Sequence, residues 1–220
     1  MADRSQDGSP SLVPVYLAAG SGGLLALSFP KFNLLPLGMV ALLPLLIFIA
    51  REPSGWRRFL GGLLAGALFF AATCYWLYLV QVQYGGLNAL EAAGVLLLLV
   101  VFMALYWGLF GWLGGKCWQL DWGPAAVPLL WVALEYARTY LITGFPWLLS
   151  GYLLTDYYSL ARLARWTGVY GLSYLTLAVP VAVLWPFFKP SKFAVLHLLA
   201  ILALTAALAL SPIEPLTPPD

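Results

Sequence analysis

The stretch FLGGLLAGALFFAATCYWLYLV, residues 59–80, runs for 22 residues without a charged side chain. A helix of about 20 apolar residues is long enough to cross the hydrocarbon core of a bilayer. The apolar residues form a continuous block rather than alternating with polar ones, which favours a helix over a barrel strand. Gly62 and Gly66 have the small-xxx-small spacing that lets a second helix approach closely. The stretch therefore predicts a spanning helix packed tightly against a neighbour.

The rest of the chain has the same apolar character. Of its 220 residues 62% are hydrophobic and 9% are charged, whereas soluble domains carry roughly 25% charged residues. The mean hydropathy is +0.88. The formal net charge of +2 gives no support for nucleic-acid binding. Composition therefore excludes a water-soluble globule and indicates an all-α membrane protein.

Apolar blocks of spanning length recur along the chain. Seven of them have the length of a helical crossing, and they lie at about 12–29, 34–50, 59–80, 92–113, 124–142, 168–188 and 193–210. We predict one polytopic transmembrane helix bundle over residues 12–210, with about seven spans. Residues 1–11 are expected to be a cytoplasmic leader and residues 211–220 a periplasmic stub.

The positions of Lys and Arg predict the orientation. With a cytoplasmic N-terminus, seven of the 11 basic residues fall inside, and the outer set is Lys31, Arg138, Arg162 and Arg165. An excess of basic residues in cytoplasmic loops is the usual arrangement in multi-pass proteins. We therefore expect a cytoplasmic N-terminus and a C-terminus on the opposite side.

Residues 138–167 form the longest interruption between the predicted spans. Pro146 lies in the apolar run LITGFPWLLSGY and removes a backbone donor, so this run is too broken to cross the membrane. Asp156 can cap a short helix in which Arg162 and Arg165 share one face and can fork onto phosphate groups. We expect an outer interfacial or re-entrant segment, with simple surface anchoring as the alternative.

Two further groups of residues lie beside this segment. Glu135 is well inside an apolar block, where a bare charge costs about 3 kcal/mol or more, and Arg138 follows on the same helical face. We expect these two to form an ion pair, which either fixes the helix end or belongs to a functional site. Tyr75 and Trp76 at the end of the third block are typical of an interfacial aromatic belt, or alternatively line a lipid entrance.

Metal and cofactor chemistry find no support in the residue pattern. Cys74 lies in a predicted span and Cys117 in a predicted cytoplasmic loop, too far apart to bridge. His197 is the only histidine, which excludes a His-pair ligand motif. We predict no metal and no cofactor.

Four stretches together resemble one protein family. The most specific is WVALEYARTYLITGFPWLLSGY, Trp131–Tyr152, in which Trp-x-x-x-Glu-x-x-Arg is followed by Gly-Phe-Pro-Trp. The others are LARWTGVYGLSYL at 163–175, LALSFPKFNLLPL at 25–37 and GLLAGALFFAATCYWL at 62–77. Along essentially its whole length the chain resembles the membrane portion of bacterial apolipoprotein N-acyltransferases.

The resemblance implies an enzyme of the bacterial inner membrane. Such enzymes take an acyl chain from a phospholipid onto a cysteine thiol and pass it to the α-amine of the diacylglyceryl-cysteine of an apolipoprotein. The Cys, Glu and Lys that catalyse this belong to a periplasmic nitrilase-like domain that follows the seventh span. No residue of this chain matches them, so we carry over no catalytic residue. We expect the chain to be inactive alone, with residues 211–220 where a nitrilase-like domain, in cis or in trans, would begin.

What the resemblance transfers to this chain is a membrane platform and a lipid entrance. The candidate entrance residues are Tyr75, Trp76, Glu135, Arg138, Phe145, Pro146, Trp147, Tyr152, Arg162 and Arg165. The implied partners are a phospholipid acyl donor and an apolipoprotein acceptor. Two alternatives stay open: a membrane anchor or assembly subunit, and a small transporter-like bundle, which would place ionisable residues along a central pathway.

Overall fold

The computed structural model describes residues 13–142 and 144–210, and this part of the chain is helical almost throughout. The α-helices in chain order are α1 (Val13–Ser28), α2 (Leu35–Gly38), α3 (Leu43–Arg51), α4 (Gly55–Cys74), α5 (Trp76–Gln83), α6 (Ala89–Cys117), α7 (Gly123–Tyr140), α8 (Tyr158–Ala161), α9 (Ala164–Leu184) and α10 (Lys192–Leu210). Two 3-10 helices accompany them, η1 (Ser150–Leu154) and η2 (Trp185–Phe187). The described residues contain no strand, as the all-α prediction requires.

Three of the described helical segments are long and apolar enough to cross a membrane. They are Gly55–Cys74, Ala89–Cys117 and Ala164–Phe187. Shorter apolar helices cover Val15–Ser28, Pro36–Arg51 and Lys192–Leu208. The prediction of an α-helical membrane protein is confirmed at this level, and the number of seven spans stays a prediction. The predicted leader at 1–11 and stub at 211–220 lie outside the described residues.

Helices α4 and α6 form the most extensive helix contact among the described residues. A β-carbon on Gly62 would collide with the carbonyl oxygen of Trp107, and one on Gly66 would meet the Trp107 side chain at 2.8 Å. Phe69, one turn further along α4, stacks on Trp107 with ring centroids 5.4 Å apart. Small residues at such a contact let two backbones approach, which is how helices associate in lipid. The predicted close packing at Gly62 and Gly66 is confirmed.

Several predicted blocks are broken into shorter helices. The second block becomes α2 and α3, and a proline lies in the first turn of each. The third block divides at Tyr75 into α4 and α5. Helix α9 contains a kink at Gly168, whose φ of 62° and ψ of −166° are not helical. The break in the second block leaves it below spanning length, whereas Gly55–Cys74 and Ala164–Phe187 remain long enough to cross.

The start of α6 is fixed by a reciprocal capping box. The Asn88 side-chain oxygen accepts hydrogen bonds from the backbone N–H groups of Leu90 and Glu91, both at 3.0 Å. The Glu91 carboxylate accepts one from the Asn88 N–H at 2.9 Å. The polar side chains therefore satisfy backbone donors that the first helical turn leaves unpaired. An Asn followed three residues later by a Glu is the spacing of a capping box, so the sequence alone indicates this helix start.

Candidate functional site

The chain folds back on itself after α7, in what we call the GFPW loop, residues 144–149. The Phe145 N–H donates to the carbonyl oxygen of Arg138 at 3.0 Å, which closes the turn. Gly144 has a φ of 70°, and a β-carbon there would collide with the carbonyl oxygen of Thr139. Glycine reaches this left-handed conformation without strain. The turn thus sends the loop back over the end of α7.

The Arg138 side chain binds the backbone of the GFPW loop. Its side chain is buried, with the residue 3% exposed. One guanidinium nitrogen, Nη1, donates to the carbonyl oxygens of Trp147 at 2.7 Å and Phe145 at 3.3 Å, and Nη2 donates to that of Leu148 at 3.4 Å. The guanidinium also lies 5.3 Å from the centre of the Phe70 ring. A single buried cation therefore sets the path of the loop backbone.

Ser150, at the start of η1, is fixed at each of its polar groups. Its N–H donates to Glu135 Oε1 at 2.8 Å, and its hydroxyl accepts from Trp131 Nε1 at 2.9 Å. Its carbonyl oxygen accepts from the Thr176 hydroxyl at 3.3 Å. Ser150 and Glu135 are both buried. These contacts tie the far end of the GFPW loop to α7 and α9.

The predicted ion pair between Glu135 and Arg138 is wrong. Each side chain bonds the returning loop instead: the carboxylate takes a backbone N–H and the guanidinium takes backbone carbonyls. Backbone groups buried in a membrane protein need partners, because lipid offers none. The loop brings backbone N–H and carbonyl groups to α7. The Glu135 carboxylate and the Arg138 guanidinium therefore bond to these groups and not to each other.

The outward side of the loop carries a cluster of aromatic rings. Trp147 stacks on Trp76 of α5, with centroids 5.0 Å apart and planes 20° apart, and its centroid lies 5.6 Å from that of Phe145. The Tyr152 hydroxyl donates to the carbonyl oxygen of Pro146 at 3.5 Å. Trp147 is 48% exposed. Five candidate residues from separate parts of the sequence therefore meet at one surface.

A large apolar cavity, which we call the α1–α4 cavity, opens beside this ring cluster. Its volume is about 870 Å³, within the roughly 300–1,000 Å³ of typical ligand pockets. Lys31 and Tyr75 both line it, and the ammonium nitrogen of Lys31 lies 3.3 Å from the Tyr75 hydroxyl oxygen. The remaining lining residues are Gly20, Gly23, Leu24, Ala26, Leu27, Phe29, Pro30, Phe32, Ala72, Thr73, Trp76 and Leu148.

Sequence reasoning missed three residues of this region. It placed Lys31 on the outer side but gave it no role, and it named neither Ser150 nor Trp131 as functional. The signals were present, because Trp131 begins the Trp-x-x-x-Glu-x-x-Arg motif and Lys31 lies in the SFPKFN stretch. Trp131, however, bonds to Ser150, 19 positions away, and Lys31 to Tyr75, 44 positions away. Local sequence patterns do not predict contacts over such separations.

The two remaining candidate arginines lie away from the loop contacts. The half-buried Arg162 donates from Nη2 to the carbonyl oxygen of Leu208 in α10, at 2.6 Å. Arg165 is exposed. The predicted interfacial helix is present as the four residues of α8 and, after a turn at residues 162–163, the start of α9 before the Gly168 kink; the N-cap of α8 is Tyr157 with no side-chain cap. The expectation that Asp156 caps it is therefore wrong.

Comparison with known proteins finds one family. Residues 21–182 match the family model of the apolipoprotein N-acyltransferase N-terminal domain. The chain is 39% identical over 160 residues to the apolipoprotein N-acyltransferase of Geobacter metallireducens, covering 72% of this chain and 30% of that protein. It is 36% identical over 174 residues to that of Pseudomonas putida, covering 76% and 33%. The chain thus spans about a third of the length of the curated relatives it matches.

Proposed function

This chain belongs to the apolipoprotein N-acyltransferase N-terminal-domain family, and we propose that it forms the membrane platform of such an enzyme. The reaction moves an acyl chain from a phospholipid to the N-terminal diacylglyceryl-cysteine of a lipoprotein. The platform lies in the bacterial inner membrane, with its N-terminus in the cytoplasm, its C-terminus in the periplasm and about seven spans. The GFPW loop lies at the periplasmic face.

A second domain completes the enzyme. A nitrilase-like domain, in cis or in trans, supplies the thiol that attacks the phospholipid ester and becomes a thioester, which releases the lysophospholipid. The lipoprotein α-amine then attacks the thioester and frees the thiol. This order is the ping-pong scheme typical of covalent catalysis. The platform binds and orients both lipid-linked substrates and contributes no catalytic residue.

The observation that supports this most is the buried clamp on the GFPW loop. The Arg138 guanidinium holds three loop carbonyls, and Ser150 is bonded to α7 and α9. A loop fixed in this way keeps Trp147 and Phe145 in constant positions relative to α7. Holding reactants in a fixed geometry can lower a barrier by about 7 to 11 kcal/mol in the best cases. The clamp is therefore suited to positioning acyl chains beneath an external thiol.

Within the proposed platform the candidate entrance residues have different roles. Tyr75, Trp76, Phe145, Pro146, Trp147 and Tyr152 form the surface that contacts lipid. Glu135 and Arg138 act through the loop, so they are positioning residues. Arg165, which is exposed, contacts lipid head groups, whereas Arg162 joins the surface segment to α10.

A chimera tests the proposal directly. This chain would replace the matching membrane part of the Geobacter metallireducens relative, and acyl transfer from phosphatidylethanolamine to a diacylated lipopeptide would be measured in nanodiscs. We expect product from the chimera and none from this chain alone. Trp147→Ala should lower the chimera's rate roughly tenfold, since positioning is lost. The matched control is Trp122→Phe, which alters an exposed ring outside the loop.

Two results would contradict the proposal. A correctly inserted chimera that transfers no acyl chain would show that this bundle is not a platform for the reaction. Product from the chain alone would remove the need for a second domain. A Trp147→Ala rate equal to the control's would return Trp147 to a purely structural role.

A further inference from the structure

The two sides of α1 are built differently. On its packed side a β-carbon at Gly22 would collide with the carbonyl oxygen of Ala65, and the Ser21 hydroxyl accepts from the Leu45 N–H at 2.8 Å. On the other side, a β-carbon at Gly20 or at Gly23 would meet no atom within 4 Å. The glycines on the packed side therefore serve helix packing, and those on the open side leave space.

The open side of α1 forms one wall of the α1–α4 cavity. Gly20, Gly23, Leu24 and Leu27 line it with the i, i+3, i+4, i+7 spacing of one helical face. At the helical rise this wall is about 10 Å long. On the opposite wall, Thr73 turns its hydroxyl into its own helix, where it donates to the carbonyl oxygen of Phe69 at 2.7 Å. The walls therefore offer hydrocarbon contacts along the length of the cavity.

A positive charge lies at the edge of this apolar space. The exposed Lys31 places its ammonium nitrogen 4.8 Å from the centre of the Tyr75 ring. Within residues 13–142 and 144–210 the ion pairs join Arg57 to Glu52 and Lys189 to Asp121, so neither includes Lys31. An ammonium has three N–H donors, and the Tyr75 hydroxyl takes one of them. The remaining donors can bind an anion.

The Lys31 backbone is held in an uncommon conformation. Its φ is 103°, in the left-handed region that a residue with a β-carbon rarely adopts. Such strain is maintained only where the surrounding structure requires it, and it is concentrated at binding and catalytic sites. Here the conformation accompanies a side chain directed to the edge of the cavity.

We propose that the α1–α4 cavity binds one acyl chain of a glycerophospholipid, with the phosphate of that lipid on Lys31 and Tyr75. An apolar cleft with a single cation at its edge matches a molecule that has a hydrocarbon tail and an anionic phosphate. Leu148 of the GFPW loop and Trp76 also line the cavity, so the lipid's ester end lies beside the ring cluster. The inference rests on the proposed function and names the site where the acyl donor binds before the reaction.

Photolabelling in nanodiscs tests the cavity. The probe is a phosphatidylethanolamine with a diazirine in one acyl chain, and labelled residues of the purified chain are mapped by mass spectrometry. We expect labels on residues 20–27 and 72–76. Gly23→Leu fills the open side of the cavity and should reduce this labelling about tenfold, an effect of blocked occupancy. The matched control, Gly94→Leu, adds the same side chain in α6, where nothing lies within 4 Å.

Lys31 variants and a probe without a phosphate test the phosphate contact separately. Lys31→Ala should lower labelling of residues 20–27 about fivefold, as expected for one exposed charge interaction, and Lys31→Arg should preserve it. A diacylglycerol probe with the same diazirine chain, which lacks the phosphate, should label the wild type as weakly as the phospholipid labels Lys31→Ala. Circular dichroism and elution volume check that each variant is folded, and Gly20→Leu replaces Gly23→Leu if the latter is not.

The overturning results are distinct for the two proposals. Equal labelling of residues 20–27 in the cavity-filling variant and in Gly94→Leu would overturn the acyl-chain assignment. Equal labelling by the phosphate-free probe would overturn the role of Lys31. A wild-type chain labelled at Trp147 and Tyr152 but not at residues 20–27 would refute this inference and leave the proposed function standing. An inactive chimera would refute the proposed function whatever the labelling.

Discussion

The α4–α6 contact and the GFPW loop are held by opposite kinds of interaction. The first is a dry contact at Gly62, which lies directly against the backbone at Trp107. The second depends on a buried arginine and a buried glutamate that serve backbone groups. Helices satisfy their own backbones and can pack on shape alone, whereas a loop in an apolar setting needs its N–H and carbonyl groups satisfied by others.

Charge on α7 is used where the neighbouring backbone is irregular. Glu135 and Arg138 are the charged residues of α7, and the loop they hold is the part that cannot be regular. Their burial is compensated by the hydrogen bonds of the Arg138 guanidinium and of Glu135 Oε1, whereas Glu135 Oε2 is buried without a hydrogen-bond partner among the described residues. The helical contacts give the bundle its rigidity, and the polar clamp gives one loop a defined position on it.

Disrupting the dry contact should cost the most stability. Gly62→Leu forces a side chain into the carbonyl of Trp107 and should lower the free energy of unfolding by more than about 3 kcal/mol, because backbone cannot move aside as a side chain can. Unfolding by sodium dodecyl sulfate in mixed micelles, followed by circular dichroism, measures it. Gly94→Leu, which meets open space, is the control, and equal stability of the two variants would refute the close α4–α6 packing.

Breaking the polar clamp should have the next largest effect. Arg138→Ala leaves the carbonyls of Phe145, Trp147 and Leu148 without this donor, and we expect a loss of about 3 kcal/mol in unfolding free energy. The same detergent titration measures this, and the chimera's acyl-transfer rate should fall as the loop loosens. Arg138→Lys should lie between, since an ammonium lacks the planar fork.

The exposed Arg165 supplies the control for that prediction. Arg165→Ala should change stability by no more than about 0.5 kcal/mol, as is usual for exposed side chains. If Arg138→Ala is as stable as Arg165→Ala, the clamp does not hold the loop, and the contrast with the dry contact disappears.

The smallest effect should come from removing one hydrogen bond of the clamp. Trp131→Phe keeps ring contacts of the kind that Trp131 makes with Trp107 and Phe110 but loses the N–H that donates to the Ser150 hydroxyl. We expect about 1 kcal/mol less stability, the usual net contribution of one such bond. Trp122→Phe serves as the comparison, and a Trp131→Phe loss no greater than that control's would assign Ser150's position to its backbone contacts alone.

How far the sequence predicts this molecule depends on how local each contact is. The capping box of Asn88 and Glu91 and the close approach at Gly62 were predictable, because spacing within one helix determines them. The family resemblance was likewise carried by short motifs. The break at Tyr75, by contrast, has neither proline nor glycine at that position, so the usual helix-stop signals do not predict it.

The candidate site shows the same limit. The ion pair expected between Glu135 and Arg138 was argued from their shared face on α7, which is correct for an isolated helix. The loop that returns over that face changes the partners, and nothing in the spacing of the two residues signals it. The cavity beside Lys31 is formed by α1, α4, α5 and the loop together, so sequence reasoning could mark its residues as apolar but could not assemble them.

The triple attachment of Ser150 has a consequence for how the protein responds to its lipid. Because Ser150 is bonded to α7 and α9, Trp147 keeps its distance from those helices and not from the membrane surface. In the proposed platform, a thinner bilayer would place the loop and the indole ring further from the hydrocarbon, and a thicker one would bury them more deeply. Host lipids of graded acyl length should therefore change the depth of Trp147 in the membrane.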